Sequence, residues 1–282
     1  MSTDTTRTEA VHDAVSAGTP ITDGPVLAER RGHVLLVTLN RPEARNAVNQ
    51  EMCLVVGDLL EEADAAPDIR AVVLTGAGDK AFCAGADLKA ISRGEPILPP
   101  GREHWGFLGW ATHPISTPTI CAVNGTAVGG GTELALAGDL VVAAETASFG
   151  LPEVKRGLIA GAGGAFRIVE QLPHRVGLEL VMTGEPISAS RALELNLVNR
   201  VVPAERVLDT ALELAGVIAA NAPLAVQASK RIALGIRDGR IPAEVEAWQL
   251  TADEIARNRR SADAAEGPRA FAEKRPPVWT GR

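Results

Sequence analysis

The chain has 282 residues, 35 of them acidic and 28 basic, and its formal net charge of −7 argues against a nucleic-acid-binding surface while allowing a small anion where Arg and Lys gather locally. A composition that is 46% hydrophobic, with mean hydropathy near zero, belongs to a soluble chain able to bury a large core in one large domain or two smaller ones. Aromatic residues make up only 3% and tyrosine is absent, so that core has to be built from Ala, Val, Leu and Ile, with 28 glycines marking tight backbone sites.

Met1 to about Asp23 is rich in Thr, Ser, Ala and Asp and lacks an apolar h-region, which predicts a loose tail over 1–24 and no secretory signal. Strands are expected at Val26 to Arg30, His33 to Leu39, Ala71 to Gly76, Thr119 to Gly125 and Asp139 to Glu145. AVVLT and DLVVAA are apolar on both faces, as strands buried between two layers should be. Between them, Asn49 to Ala65 carries Met52, Val55, Val56, Leu59 and Leu60 at helical spacing, and a second helix is expected over Gly130 to Ala137. Ser92 to His113 reads as a loop with one short helix. The stretch Gly106 to Thr132 lacks Asp, Glu, Lys and Arg, but Pro114, Pro118, Asn124 and repeated glycines interrupt it. It reads as soluble core, not as a membrane span.

From about Gly163 strand signals nearly vanish and helical stretches follow, with Pro203 and Pro223 at first helical turns. This predicts a core domain over 25–202 and a helical region over 203–282. There is no internal repeat and no low-complexity linker. Three widely spaced cysteines (Cys53, Cys83, Cys121) without a CxxC pair, and five scattered histidines, fit a cytoplasmic location and no metal site.

Three segments carry chemistry. AFCAGADLK (Ala81 to Lys89) follows the strand AVVLTG; its small residues let backbone amides turn into a cleft, and Asp87 can cap the next helix. On its own it reads equally as an ordinary strand-to-helix turn. NGTAVGGGTELALAGD (Asn124 to Asp139) joins a strand, a glycine run and a helix start, where backbone can approach a ligand and a helix N-terminus favours negative charge. Glu133 lies about one turn into that helix, beside the apolar LALA. SFGLPEVKRGLIAGAGG (Ser148 to Gly164) presents Glu153 in a glycine-rich loop. Gly76 to Ala81 also matches a dinucleotide-type GxGxxA, but FCAG stands where a long helix should follow. G-x-S-x-G and GK[ST] motifs are missing, and Cys83 has no assignable His partner.

Together with NRPEARNAVN (Asn40 to Asn49), VMTGEPISASRALELNLVNRVVP and the terminal EGPRAFAEKRPP, these segments resemble the crotonase (enoyl-CoA hydratase/isomerase) superfamily over roughly Pro25 to Pro277. The resemblance implies an α/β fold, a spiral of β-β-α turns with a C-terminal helical region, assembled as a homotrimer or dimer of trimers. It implies hydration of a 2-enoyl-CoA, with coenzyme A present only as part of the substrate and no permanently bound cofactor. It places the oxyanion-hole amides at Ala86 and Gly130 and the catalytic carboxylates at Glu133 and Glu153; two carboxyls sharing one water would let Glu133 deprotonate it while Glu153 protonates Cα. Substrate and CoA contacts are implied at Ala44, Arg45, Ala84, Ala86, Asp87, Leu88, Lys89, Gly130 and Gly161, with Phe271 and Lys274 closing the adenine end. Arg41, Arg45, Lys80 and Lys89 are candidate cations for the CoA polyanion, or else solvated surface charge. Trp105, Phe107, Leu108 and Trp110 read as acyl-pocket lining or as core. A specialised dehydratase of carnitinyl-CoA type and an isomerase are the alternatives within the superfamily. An RNA-binding role, known in some of its members, and membrane binding are not expected for so acidic a chain.

Overall fold

Runs that lack polar alternation become central strands because both of their faces must be covered. In the computed structural model, which describes residues 19–282, AVVLTG is buried along its whole length. The chain enters as an antiparallel meander, β1 (Thr19–Thr22), β2 (Val26–Arg31) and β3 (Val34–Leu39). Helix α1 (Gln50–Ala65) then leads to β4 (Ala71–Gly76). From β4 onward one pattern is written three times. β4 passes to β5 (Ala81–Cys83) and helix α2 (Leu88–Ser92); β6 (Thr119–Val123) passes to β7 (Thr126–Val128) and α3 (Gly130–Ala137). Last, β8 (Leu140–Ala144) passes to β9 (Ser148–Gly150), a 3-10 turn (Pro152–Arg156) and α4 (Gly164–Gln171).

With two later strands, β10 (Ile187–Ser188) and β11 (Arg200–Val202), the first strand of each unit joins a seven-stranded sheet in the order β1-β2-β3-β4-β6-β8-β11, and the second joins a four-stranded sheet in the order β10-β9-β7-β5. From β3 to β11 the large sheet is parallel, as is β5-β7-β9. The spiral expected from the resemblance is therefore real, and the repeat is structural without being visible as repeated sequence. The remaining elements are α5 (His174–Thr183), β10 (Ile187–Ser188), α6 (Ala189–Glu194), β11 (Arg200–Val202), α7 (Val207–Ala219), α8 (Pro223–Leu234), α9 (Val245–Asn258) and α10 (Ala262–Ala272).

Two expectations need correction. Residues 1–18 of the predicted tail lie outside the described residues, but Thr19–Thr22 is a strand paired on β2. Strands also continue beyond Gly163: Arg200–Val202 adds in parallel to β8, and Ile187–Ser188 pairs with β9. Two- and three-residue strands carry too little periodicity to be read from sequence.

Helix α1 begins where expected, its N-cap Asn49 accepting the Met52 amide at 3.1 Å. Its apolar stripe faces the core, and helix α7 buries Val207, Ala211, Leu212 and Ala215 against the large sheet. The Ser92–His113 insert forms two 3-10 turns, Glu103–Trp105 and Phe107–Gly109. Trp105 packs so closely on Gly57 of α1 that no side chain would fit there. The Trp110 indole donates to the Leu134 carbonyl at 3.2 Å. Trp105, Leu108 and Trp110 are thus core. By contrast α8 and α9 contain no buried residue in the single chain.

Candidate active site

Because β5, β7 and β9 are parallel neighbours, the residues after each of them meet along one edge of the small sheet. Those residues are Ala84 to Asp87, Gly129 to Gly131 and Leu151 to Glu153. This carboxyl edge is where parallel sheets usually hold ligands. Topology alone therefore brings Ala86, Gly130 and Glu153 together.

Ala86 forms a parallel bridge with Val48: the Val48 amide donates to Gly85 O and the Asp87 amide to Val48 O, both at 2.9 Å. In such a bridge the N–H of Ala86 itself points the opposite way. Gly85, in the left-handed region at φ 89°, turns its Cα toward Gly130, whose amide nitrogen lies 3.2 Å from where a Gly85 side chain would begin. Gly130 opens α3, so its amide has no partner inside the helix. Among the described residues, neither the Ala86 nor the Gly130 amide has an acceptor in the chain. Two neighbouring unpaired donors of this kind can grip one developing oxyanion.

The glycine run is required by contact. Gly131 lies so close to the Cys83 carbonyl that no side chain fits, and a Cβ at Gly129 (φ 56°) would stand 2.8 Å from Glu153 Oε1. The buried Thr132 hydroxyl ties α3 to both strands, lying 2.8 Å from Ala127 O and accepting the Gly150 amide at 2.9 Å. The edge of the Phe107 ring lies where a Gly130 side chain would be, which makes Phe107 the one insert aromatic at the amide pair.

Glu133 is 3% exposed. Its Oε1 accepts two amides, from Ala162 at 2.6 Å and Gly164 at 2.8 Å. Glu153 is held by the 3-10 turn after Pro152, and its Oε2 is buried with no protein partner. Burial raises both carboxyls. At Glu133 the neighbouring Glu153 charge adds to the rise, while the Gly164 and Ala162 amides and the Arg167 guanidinium pull it back. Such a pair can hold one proton between them. Two amide donors favour the ionised form of Glu133, whereas Glu153 Oε2 has no protein partner.

The candidate CoA contacts divide. Arg45 and Asn46 are consecutive left-handed residues (φ 54° and 56°). The Ala84 amide donates to Arg45 O at 3.0 Å, so Ala44 and Arg45 run beside Ala84 to Asp87. Asp87 caps α2, accepting the amides of Lys89 and Ala90 at 3.0 and 3.1 Å; Leu88 and Lys89 are exposed on that helix. Arg41 is a correction. It pairs with Asp87 at 2.9 Å and donates to Ala47 O at 2.6 Å, which commits it to holding the loop. Burial acts to raise Asp87, but the Ala90 amide and Arg41 outweigh it and hold the carboxyl below its usual range. Arg45 and Lys80 are exposed beside a groove of about 250 Å³.

Gly161 lies in the turn before α4, against Ile255, and the helix begins only at Gly164, so the amides at this helix start serve Glu133. Phe271 sits under the Arg156 guanidinium at 4.4 Å, on the Glu153 side of the site, and Lys274 follows α10 with φ 55°. The GxGxxA stretch runs directly into strand β5, not into a helix. Burial pushes the Cys83 thiol up to about 12, which leaves it inert. Among the described residues no group of three or more His, Cys, Asp or Glu converges as a metal site.

Sequence reasoning missed Ala162, Gly164 and Arg167. The GAGG run was the available signal for the first two; nothing marked a single arginine in a helical pattern.

The chain is similar to known proteins along nearly its whole length. The model of the family "Enoyl-CoA hydratase/isomerase" matches residues 29–282. The chain is 42% identical to the enoyl-CoA hydratase EchA19 of Mycobacterium tuberculosis, over 93% of this chain and 99% of that one. It is also 42% identical to a carnitinyl-CoA dehydratase of Salmonella paratyphi A, over 90% and 97%. A crystal structure of carnitinyl-CoA hydratase from Mycobacterium avium superposes with a TM-score of 0.91 at 62% identity, covering 93% of this chain and all of that one.

Proposed function

The chain belongs to the enoyl-CoA hydratase/isomerase family, and from that premise we propose that it is a hydro-lyase adding water reversibly across the double bond of a 2-enoyl-CoA thioester. The observation that carries the reading is a buried, charge-coupled pair, Glu133 and Glu153, on the same sheet edge as two unpaired amides.

The Ala86 and Gly130 amides receive the thioester oxygen. Ionised Glu133, held by Ala162 and Gly164, takes a proton from water as its oxygen bonds to Cβ. The π electrons move onto the thioester oxygen as an enolate, which rigid amides stabilise by roughly 2.7–4 kcal/mol per donor in other enzymes. Collapse of the enolate takes the proton of Glu153 onto Cα. The proton gained by Glu133 then restores the pair.

Dehydration is the same path reversed. The likeness to proteins named for carnitinyl-CoA favours a specialised 3-hydroxyacyl-CoA as the second reading. Coenzyme A enters only with the substrate, carried by Arg45 and the Ala84 to Lys89 segment, and no resident cofactor takes part. Assembly as a homotrimer or dimer of trimers is supported by the exposed apolar residues of α8, Leu224 at 78% and Ile232 at 82%. A cytoplasmic location is supported by three buried free thiols. Loss of the enoyl-thioester absorbance is the assay, run with crotonyl-CoA, longer enoyl-CoAs and dehydrated carnitinyl-CoA. Turnover of simple enoyl-CoAs supports the hydratase reading, and turnover of the carnitinyl pair alone supports the second. No turnover of any would refute both.

A further inference from the structure

Arg167 lies on α4, one turn beyond the amides that hold Glu133, and is only 6% exposed. Its guanidinium is fixed on several sides. It forks onto Glu244 through Nε–Oε1 at 2.8 Å and Nη2–Oε2 at 2.6 Å, and its Nη1 donates to Ala111 O at 2.8 Å. The rings of Trp248 and Phe166 lie 5.3 and 5.6 Å away. Its other neighbour is the catalytic turn: a Cβ at Gly163 would stand 3.3 Å from Arg167 Nη1 and 2.9 Å from the Trp248 ring. Gly163 precedes the Gly164 amide that donates to Glu133. Glu244 is the N-cap of α9 and Trp248 lies in its first turn, on the helix whose Ile255 packs against Gly161.

We propose that Arg167 is a positioning residue for the acid–base pair: clamped by Glu244, Ala111 and Trp248, it holds the Ala162–Gly164 turn that orients Glu133 and lends that carboxylate a fixed positive charge. The proposal rests on the reading of Glu133 as the base. The charged groups facing Glu133 are Glu153 from the 3-10 turn and Arg167 from α4. Behind Arg167 stand Glu244, and across a small cavity His113 and the Lys230–Asp139 pair. The helical region thereby sets the pH window of a site to which it contributes no reacting group.

The test is the pH dependence of kcat and kcat/KM for crotonyl-CoA hydration in wild type, R167M, R167K and E244Q. Removing the cation in R167M raises the acid limb by about half a pH unit or more and lowers kcat roughly tenfold, with KM little changed. R167K keeps the charge and leaves the limb near wild type. E244Q removes the countercharge and moves the limb the opposite way, downward. A purely structural role gives no opposed pair of shifts. An unmoved limb in R167M, or shifts of the same sign in R167M and E244Q, overturns the proposal. If R167M does not fold, a limb in E244Q that stays put or rises overturns it equally. Infrared titration of the protonated carboxyl band, with E133Q as the assignment control, follows the same shifts without substrate. That measurement separates failure of the clamp from failure of the hydratase reading.

Discussion

Glu133 and Glu153 are both buried but have opposite environments: the first accepts two amides, the second leaves an oxygen unpartnered. E133Q and E153Q should each lower hydration kcat by roughly 10²–10⁴-fold, measured by loss of enoyl-thioester absorbance. Both carboxyls are raised by burial in the folded chain. Their contribution to stability is therefore full below the ordinary carboxylate range and is lost as pH rises through the raised folded values. Glutamine at position 153 stays neutral at every pH. The Tm of E153Q should accordingly gain on wild type between pH 5 and 8, as followed by thermal melts at each pH. Among the glycines, Gly129→Ala meets both a left-handed φ and the Glu153 carboxylate. Denaturant titration should show a loss of roughly 1–3 kcal/mol, with a larger proportional loss of kcat.

The elements that matter most are short. Helix α2 is five residues long and depends on Asp87, which also holds Arg41. D87A should cost roughly 1–2 kcal/mol in chemical denaturation and raise KM for the CoA substrate, since the Arg45 and Ala84 strips lose their common anchor. In the insert, Trp105 and Trp110 are committed to the core, whereas Phe107 reaches Gly130. F107A should shift kcat/KM toward longer or branched acyl groups across an acyl-CoA panel; an unchanged ranking would remove Phe107 from the pocket wall. AFCAGADLK and the glycine run were legible as backbone sites because small residues at close spacing have few other uses. The Ala162 and Gly164 donors were not, because what they bind is 29 to 31 residues away in sequence.

Over the whole molecule, two helices without a buried residue, α8 and α9, leave apolar side chains in water. On the proposed trimer or dimer of trimers, L224D and I232D should lower the mass measured by light scattering while the spiral stays folded; wild type running as a monomer would remove the oligomer reading. Composition alone dictated an aliphatic, acidic globular chain, and doubly apolar runs alone dictated parallel strands buried between layers, since burial of a chain segment depends mainly on its own residues. The motifs identified Glu133, Glu153, Ala86 and Gly130 through resemblance. Only the tertiary structure could decide that β5, β7 and β9 lie side by side, that Arg41 is consumed by Asp87, and that Arg167 reaches Gly163 from a position with no signal in the sequence. Those facts are relations between distant segments, fixed by packing and strand order, and no local pattern of side chains encodes them.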